Sequence, residues 1–476
     1  MSYYIGLDVG TSGVKAMLVS EDEIIDVITL DYPISFPQES YAEQNPENWL
    51  DRCLQAIERL GAQIAPDTVD AISFSGQMHG LVMLDKNDNV IRPAILWNDG
   101  RSVKEVDYLN NTVSEEYLVS KTGNIAFAGF TAPKVLWVYN NEPENFARAV
   151  KICLPKDYVA YKLSGVFATD TSDASGTLYF DTEKRDWSDD MLELIHINRG
   201  MLPRVFESSE TIGKIKEEYT SLPGISSDTL IVIGAGDNAA SAIGTGTVNN
   251  GACNISLGTS GTVFVCTDEY SQPASHAIHS FCSANGKYHY LACTLTAASS
   301  QKWWIEDILK GGYDNGSEIY FGKSKVMFLP YLMGERSPVN DTQVRGMFTN
   351  LSMNTQRDEM TAAVLEGVAF SLRENIDIIR KTGVEITESG ICGGGTKNRF
   401  WLKLTATILG INLIIPENEH GGVLGACILA AKGAGRDISS AFTGRREVIY
   451  PDSEKIPFYD EKYAKYLKLY PLAKQL

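Results

Sequence analysis

Two aspartates lie close to apolar runs and to glycine-containing turns. Asp8 lies near the end of the otherwise apolar run Tyr3–Val9. Asp237 follows the apolar run Leu230–Ile233 and the turn Gly234-Ala235-Gly236. An ionised carboxylate in an apolar strand is costly unless it is paired or binds a cation, so Asp8 either caps the next turn or lies beside a Mg²⁺ ion on a phosphate chain. Small residues near Asp237 let a substrate approach closely, which a general base requires.

The tetrapeptide Gly-Thr-Ser-Gly occurs twice, at residues 10–13 and 258–261, each time between two apolar runs. A hairpin turn of this composition exposes backbone N–H groups and adds two hydroxyl donors, so it can hold a phosphate. One copy alone is better explained as an ordinary hairpin turn, but two copies in the two halves favour a site for the phosphate chain of one nucleotide. The candidate phosphate ligands are Thr11, Ser12, Gly258, Thr259 and Ser260.

A third glycine-rich segment, Gly393-Gly394-Gly395, lies between the predicted strand Gly390–Cys392 and a helix that begins near Asn398. Glycines at such a position let a flat ring lie against the backbone, and the N-terminus of the helix can meet polar atoms. The segment is therefore either part of a nucleotide-base site or a plain strand-to-helix turn.

Two polar clusters have apolar neighbours, as the lining of a sugar site would. They are Gln77-Met78-His79 and Trp97-Asn98-Asp99-Gly100-Arg101. A sugar pocket combines an apolar wall with fixed hydrogen-bond donors and acceptors. Each cluster also has a structural explanation, a core histidine for the first and a surface turn for the second.

The segment that begins at Gly234 also matches G-x-G-x-x-A, the fingerprint of dinucleotide-binding proteins. That fingerprint expects an acidic residue about 20 residues further on to hold the ribose, and no acid occurs between Asp237 and Asp268. No series of βαβ units surrounds the segment either. A dehydrogenase is therefore disfavoured, and because Gly322-Lys323-Ser324 is only an incomplete Walker A loop, any nucleotide is bound in another way.

The elements that must position these residues are those of an α/β protein. Hydrophobic alternation and turn residues predict an antiparallel meander of three strands, Tyr3–Val9, Val14–Val19 and Ile24–Tyr32. A helix over Pro46–Gly61 follows, since proline suits a first helical position and glycine suits a helix end.

The second half of the chain begins like the first, with apolar strands on both sides of its own Gly-Thr-Ser-Gly turn. A repeat at this distance suggests two similar mixed α/β domains of about equal size. A link rich in glycine, threonine and asparagine lies near residues 244–250. We therefore expect the domains to be 1–244 and 245–476, and the final helical segment is compatible with packing on either.

Composition excludes several classes of function. The chain has 476 residues, of which 44% are hydrophobic and 21% are charged, as is usual for a globular protein. Its 60 acidic and 42 basic residues give a net charge of −18. A surface this negative repels phosphate backbones and anionic lipids, so we expect neither nucleic acid nor a membrane as a partner.

The sequence also shows no pattern typical of a targeting segment, a membrane span or a cysteine metal site. The longest charge-free run, residues 238–267, is too polar to lie in lipid, and no basic and apolar targeting segment precedes the first strand. The eight cysteines are scattered without a C-x-x-C pair, which predicts reduced core residues. We therefore expect a cytoplasmic protein.

Taken together, these motifs resemble the FGGY family of carbohydrate kinases. Gly129–Val138 resembles the first signature of that family. Gly346–Glu366 resembles the second, with Asn350 where the family usually has glycine, a departure that touches no residue assigned to catalysis. The resemblance extends from Gly6-Leu7-Asp8 to Gly422–Ala426 and so covers nearly the whole chain.

Within the family, four segments are similar to the subgroup whose sugar is D-xylulose. They are Gly76–Gly80, Leu96–Arg101, Leu154–Tyr158 and Gly236–Ala240. The implied reaction is in-line transfer of the γ-phosphoryl group of ATP to D-xylulose, which gives D-xylulose 5-phosphate. Ribulose, gluconate and other ketoses or polyols stay open, because they differ in single stereocentres or hydroxyl groups.

The resemblance implies two actin/hexokinase-like domains with ribonuclease-H-type cores and an active site in the cleft between them. It makes Asp237 the catalytic base and Asp8 the acid near Mg²⁺ and substrate, with the ion held by both carboxylates directly or through water. Together with the polar clusters, it gives the sugar-binding residues Gln77, Met78, His79, Trp97, Asp237 and Asn238. It gives the ATP-binding residues Thr11, Ser12, Lys15, Gly258, Thr259, Ser260, Gly394, Gly395 and Asn398.

Two other classes of protein share parts of this pattern. An actin-like ATPase would have the phosphate turns, but it would need neither Gln77-Met78-His79 nor a base at Asp237. A sugar-responsive transcription regulator on a kinase fold would need a DNA-binding module, and none fits before Tyr3. From relatives we expect a sugar and MgATP as small-molecule partners and a homodimer as the assembly.

Overall fold

A computed structural model of the chain describes residues 2–311 and 315–476, the side chain of Asn315 excepted. The contacts within it define two compact units. The first runs to Val248 and also includes Phe281–Tyr288 and His420–Gly444, and the second contains the other described residues. Because the units are not continuous in sequence, the division into domains 1–244 and 245–476 stays a prediction.

The strands are numbered in chain order. In the first unit they are β1 (Tyr3–Val9), β2 (Gly13–Val19), β3 (Ile24–Asp31), β4 (Glu43–Gln44), β5 (Val69–Gly76), β6 (Val82–Leu84), β7 (Ala94–Ile95), β8 (Lys151–Cys153), β9 (Ala168–Asp170), β10 (Phe180–Asp181), β11 (Asp186–Trp187), β12 (Arg204–Phe206), β13 (Thr211–Lys214), β14 (Leu230–Val232) and β15 (Ala235–Gly236). The strands that follow are β16 (Cys253–Leu257), β17 (Gly261–Thr267), β18 (His279–Cys282), β19 (Tyr288–Thr294), β20 (Met327–Leu329), β21 (Met347–Thr349), β22 (Glu388–Cys392), β23 (Asn412–Pro416) and β24 (Arg445–Ile449).

The α-helices are numbered in the same way. They are α1 (Pro46–Gly61), α2 (Val103–Asp107), α3 (Glu115–Thr122), α4 (Thr131–Asn141), α5 (Pro143–Arg148), α6 (Pro155–Ser164), α7 (Thr171–Ala174), α8 (Asp189–Leu194), α9 (Asp237–Gly244), α10 (Ala298–Lys302), α11 (Arg357–Arg380), α12 (Arg399–Leu409), α13 (Gly421–Gly433), α14 (Ser439–Phe442), α15 (Ile456–Tyr466) and α16 (Leu469–Ala473). Short 3₁₀- and π-helical segments are Tyr108–Ser114, Ser175–Thr177, Arg199–Met201, Glu217–Tyr219, Trp303–Ile308, Asn315–Tyr320 and Gly394–Lys397.

The first unit is built on a mixed sheet with the strand order β13-β14-β5-β1-β2-β3. β1, β2 and β3 form the predicted antiparallel meander, and β5 runs parallel to β1 on its other side. β15 extends the pairing as a second parallel neighbour of β5. Because β1, β5 and β15 run in the same direction, their carboxyl ends meet at one edge of the sheet.

Alternate residues of β1 face opposite sides of this sheet, as strand geometry requires. Leu7 and Val9 belong to the core cluster that contains α1, whereas Tyr4 belongs to the cluster that contains α9 and α13. On the α13 side, a Cβ atom at Gly6 would lie 2.4 Å from the backbone oxygen of Val423. Helix α13 therefore packs directly on β1, on the same side of the sheet as the even-numbered residues of this strand.

The second unit is built on a sheet of order β18-β19-β17-β16-β22-β23-β24. Its centre repeats the first, because β16 and β17 form an antiparallel hairpin and β22 runs parallel to β16. Each unit is thus a mixed sheet with helices, which confirms the predicted α/β class and the similarity of the two halves. The terminal helices α15 and α16 belong to this second unit.

Two further observations concern the helices and the cysteines. Within residues 2–311 and 315–476, no helix is both long and apolar enough to cross a bilayer. Six of the eight cysteines are buried, as predicted for core residues.

Candidate active site

Asp8 lies at the carboxyl-terminal end of β1, where residues of β2, β5 and α13 surround its side chain. It pairs in register with Lys15 on β2 and with Ser75 on β5. The Ser75 hydroxyl donates to Asp8 Oδ1 over 2.8 Å, and a Cβ atom at Gly422, in the first turn of α13, would lie 3.2 Å from Asp8 Oδ2. Burial raises the pKa of Asp8, while the Ser75 hydrogen bond and the Lys15 charge act to lower it.

Asp237 is the first residue of α9 and directly follows β15. Its Oδ1 atom accepts hydrogen bonds from the backbone N–H of Asn238 at 2.7 Å and from Asn238 Nδ2 at 2.9 Å. Burial, and then the nearby carboxylate of Asp8, raise the pKa of Asp237 to about 7. A carboxylate that titrates near neutral pH is suited to general acid–base chemistry.

Met78 packs against the residues on both sides of Asp237. A Cβ atom at Gly236 would lie 2.9 Å from Met78 Cγ, so only glycine leaves room for this side chain. Asn238 Nδ2 lies 4.0 Å from Met78 Sδ. The structure thus brings Met78 together with Asp237 and Asn238, which were predicted from a different segment of the chain.

His79 is held in an unusual backbone conformation, with φ at 69°. Its Nδ1 atom donates to the carbonyl of Gly176 at 2.7 Å, and its ring packs on Phe130 with 4.7 Å between centroids. The carbonyl of His79 accepts from Lys134 Nζ at 2.8 Å, and this ammonium also donates to Gly129 O at 2.7 Å. Lys134 is fully buried, and this burial lowers its pKa to about 7.

Gln77 and Trp97 contact the first Gly-Thr-Ser-Gly turn. Gln77 Nε2 donates to Gly10 O at 3.3 Å and to Gln44 Oε1 at 3.1 Å. Gln44 Nε2 in turn donates to Thr11 O at 2.7 Å, and Trp97 Nε1 donates to Thr11 Oγ1 at 2.9 Å. Gln77 is buried and braces the turn, whereas Trp97 is 45% exposed.

Lys15 and Ser12 complete the predicted residues of the first unit. Lys15 Nζ lies 2.7 Å from Nδ1 of His420, the residue that precedes α13. Ser12, at the tip of the turn, is exposed. Lys15 thus links β2 to the start of the same helix that approaches Asp8.

The second Gly-Thr-Ser-Gly turn is anchored through its carbonyl groups. Thr259 O accepts from Ala297 N at 3.0 Å and from Ser299 Oγ at 2.6 Å. Gly258 O accepts from Ala298 N at 2.8 Å. With these carbonyls bound, the exposed side chains of Thr259 and the neighbouring Ser260 remain available for a ligand.

The glycine segment after β22 packs closely on this turn. Gly393 has φ at 95°, and a Cβ atom there would lie 2.7 Å from the carbonyl carbon of Leu257. A Cβ atom at Gly395 would lie 2.9 Å from Leu257 Cβ, whereas one at Gly394 would meet no described atom within 4 Å. Gly394 therefore presents open backbone, as a site for a flat ring requires.

Asn398 caps the N-terminus of α12. Its Oδ1 atom accepts from Trp401 N at 3.0 Å. Its buried Nδ2 atom has no hydrogen-bond partner among the described residues. A buried donor left in this state is costly, so a ligand acceptor beside Gly394 would satisfy it.

The carboxylates fit a magnesium ion that arrives with a nucleotide. Within the described part of the chain, no group of three or more His, Cys, Asp or Glu residues could hold a metal by itself. Mg²⁺ in phosphate-transfer sites is bound by one or two carboxylates together with phosphate oxygens and water. Asp8 lies near enough to Asp237 to raise the pKa of Asp237, so these two carboxylates supply such a pair.

Sequence reasoning did not find the buried polar run Asp170–Thr177. Ser172 Oγ accepts from Gly236 N at 3.1 Å, and Gly176 O is the acceptor for His79. The signal was present as eight consecutive short residues, D-T-S-D-A-S-G-T, which begin at the last residue of the short strand β9. Lys134 was also missed, although it lies within the first family signature.

Asn350, the one noted departure from the second signature, follows β21 with φ at 63°. This left-handed conformation favours glycine, and asparagine is among the few other residues that tolerate it. Asn350 Nδ2 also donates to Lys325 O at 2.8 Å. The exchange therefore preserves the backbone turn.

Comparison with known proteins gives one consistent family. Residues 3–244 match the FGGY family of carbohydrate kinases, N-terminal domain, and residues 253–434 match its C-terminal domain. The xylulose kinase of Escherichia coli strain K12 is 38% identical over 438 residues, which is 90% of this chain and 89% of that protein.

Two solved structures have the same fold. A "xyloylose kinase" from Brucella ovis superposes with a TM-score of 0.93 at 38% identity and covers 99% of both chains. A gluconate kinase from Lactobacillus acidophilus gives a TM-score of 0.91 at 27% identity, covering 98% of this chain and 97% of that one.

The chain belongs to the FGGY family of carbohydrate kinases, as the sequence motifs predicted. It is an ATP-dependent sugar kinase, an enzyme that transfers a phosphoryl group to a sugar. The dinucleotide-binding interpretation of Gly234–Ala239 is thereby set aside.

Proposed function

We propose that this enzyme phosphorylates the terminal hydroxyl, O5, of D-xylulose with MgATP. The observation that carries the proposal is the pair Asp237 and Asp8 beside Met78 and Asn238, at one edge of the first sheet. Similarity to xylulose kinases over nearly the full chain supports D-xylulose as the sugar.

Asp237 acts as the general base in this proposal. Its carboxylate takes the proton from O5 while that oxygen attacks the γ-phosphorus in line, and the bond to the leaving ADP oxygen breaks. The hydrogen bonds from Asn238 fix the position of Oδ1. Met78 and His79 bind the sugar so that O5 lies within hydrogen-bond distance of the base.

The nucleotide binds mainly to the second unit, and the sugar binds to the first. Exposed Thr259 and Ser260 contact phosphate oxygens, and Gly394 and Asn398 bind the base. Thr11, Ser12 and Lys15 contribute phosphate contacts from the first unit. Asp8 and Asp237 would hold Mg²⁺ directly or through water, and the bound ion would supply positive charge to neutralise the phosphoryl oxygens. The cleft expected between the domains stays a prediction.

Activity should decline on the acid side of neutrality. Because a base must be ionised, kcat/KM should reach its full value above the pKa of Asp237, about 7. Below that pH it should decrease by about tenfold per pH unit. Asp8→Asn removes a charge that raises the pKa of Asp237. The variant should therefore have a lower maximal kcat/KM, and the acid limb of its pH profile should move to lower pH. Profiles between about pH 5 and 9 test this; an unmoved limb in Asp8→Asn would contradict the coupling.

Removing the Thr259 hydroxyl should weaken ATP binding. Thr259→Ala loses one hydrogen bond to a charged phosphate, so the KM for ATP should rise by about tenfold or more while the KM for the sugar stays unchanged. Thr382→Ala, which removes a hydroxyl that bonds Ile379 O at the end of α11, is the matched control. An unchanged KM for ATP would count against the role of Thr259.

The test of the proposed function is ADP release by the purified protein with MgATP. We compare the rates with D-xylulose, D-ribulose, gluconate, glycerol and no sugar. The Asp237→Asn variant measures the ADP release that does not depend on the proposed base. We expect D-xylulose to give the largest kcat/KM. A larger value for another sugar would keep the family and the base but overturn the sugar assignment. Equal release without sugar would instead favour an ATPase.

A further inference from the structure

The segment that follows β9 forms a fully buried polar network behind the candidate base. Asp170 is the N-cap of α7, and its Oδ2 atom accepts from the backbone N–H of Ser172 at 2.9 Å. The same oxygen accepts from two serine hydroxyls, those of Ser172 and of Ser208, the latter at 2.7 Å. All three side chains are inaccessible to solvent.

Ser172 has a second contact that Ser208 lacks. Its Oγ atom also accepts a hydrogen bond from the backbone N–H of Gly236 at 3.1 Å. A hydroxyl has one proton and two lone pairs, and the proton is used by Asp170, so Ser172 is fixed as the acceptor for Gly236. Gly236 directly precedes Asp237, and its N–H is therefore tied to the network at the residue before the base.

The network is also anchored at its far end. Lys156 Nζ lies 2.8 Å from Asp170 Oδ1, and both side chains are fully buried. A few residues further along the same segment, the carbonyl of Gly176 binds Nδ1 of His79. One buried segment thus binds both the backbone before Asp237 and the side chain of His79.

We propose that Ser172 is a positioning residue, which sets the location of the Asp237 carboxylate through Gly236. The inference rests on the proposed function, because it takes Asp237 as the base. A base must lie within about 2.6–3.2 Å of the proton it removes, and a displacement of about 1 Å can cost about 100-fold in rate. Loss of the Ser172 acceptor releases the backbone at Gly236 and therefore affects kcat more than substrate binding.

The two serines provide a matched pair of variants. Ser172→Ala and Ser208→Ala each remove one hydroxyl donor from the same oxygen of Asp170, but only Ser172→Ala frees the Gly236 N–H. We expect Ser172→Ala to lower kcat about 10- to 100-fold, with both KM values within about threefold of the parent. We expect Ser208→Ala to leave kcat within about threefold, with a similar shift in thermal unfolding temperature.

Ser172→Cys separates the loss of the hydrogen bond from the loss of packing. Cysteine is close to serine in shape, but its sulfur is a weak acceptor. The variant should show an intermediate kcat. Equal losses of kcat in Ser172→Ala and Ser208→Ala would overturn the proposal, because both would then act through Asp170. Failure of the proposed function has a different signature, in which Asp237→Asn retains full turnover whatever the serine variants do.

Discussion

Replacing Asp237 by asparagine is expected to lower kcat by about 10²–10⁴, the usual contribution of general-base catalysis. Asparagine keeps an oxygen that can accept from Asn238, so the local structure should persist while the proton acceptor is lost. The KM for ATP should change little. Steady-state kinetics with D-xylulose and MgATP, together with a thermal unfolding curve, measure both effects.

Asp189→Asn is the matched control for this variant. Asp189 also begins a helix of the first unit, α8, but its side chain is exposed and pairs with Arg199, which is assigned no role in the site. Its turnover should equal that of the parent protein. If Asp237→Asn also turned over at nearly the parental rate, Asp237 would not be the base.

Replacing Lys156 by methionine is expected to destabilise the protein by about 3–5 kcal/mol, the cost of leaving buried charges unpaired. The Lys156 ammonium lies 2.7 Å from Asp157 Oδ1, 2.8 Å from Asp170 Oδ1 and 3.6 Å from Asp173 Oδ2, and all four side chains are fully buried. Burial acts to lower the pKa of Lys156, but the three carboxylates outweigh it and raise that pKa. Methionine would leave these carboxylates without a counter-charge.

Urea-induced unfolding measures the decrease in the free energy of unfolding, and Lys214→Met is the control variant. Lys214 forms a single, largely exposed ion pair with Asp228 in the same unit, and such pairs contribute about 0–1 kcal/mol. The midpoint of Lys156→Met should therefore fall well below that of Lys214→Met. Equal midpoints would mean that the buried carboxylates are neutralised by protons rather than by the lysine.

Local features of the fold were predictable because they depend on neighbouring residues. The bounds of β1 and α1 agree with the hydrophobic period and the proline and glycine signals. Asn45 also caps α1, where its side chain accepts from Glu47 N at 3.1 Å. The two Gly-Thr-Ser-Gly turns lie between antiparallel strands, as their composition indicated.

Features that depend on distant contacts were not predictable. The link between Ser172 and Gly236 joins residues 64 positions apart, and no periodicity in either segment indicates it. The amide nitrogen of Gln77 donates to Gly10 and Gln44, contacts that no local pattern indicates, and the assignment of Gln77 to the sugar stays a prediction. Lys134 donates to the carbonyl of His79, 55 positions earlier, and no pattern in the sequence pairs these two residues.

The late position of α13 in the chain has a consequence for biosynthesis. This helix covers β1 and β5, and its residue Cys427 packs against Gly6, more than 400 positions earlier. At about 5–20 residues per second, a ribosome needs tens of seconds between completing β5 and completing α13. During this interval the nascent chain exposes an apolar sheet face that includes Tyr4 and Met17. The first unit therefore completes the packing of its sheet only after α13 has been synthesised, although most of the strands of that sheet are made much earlier.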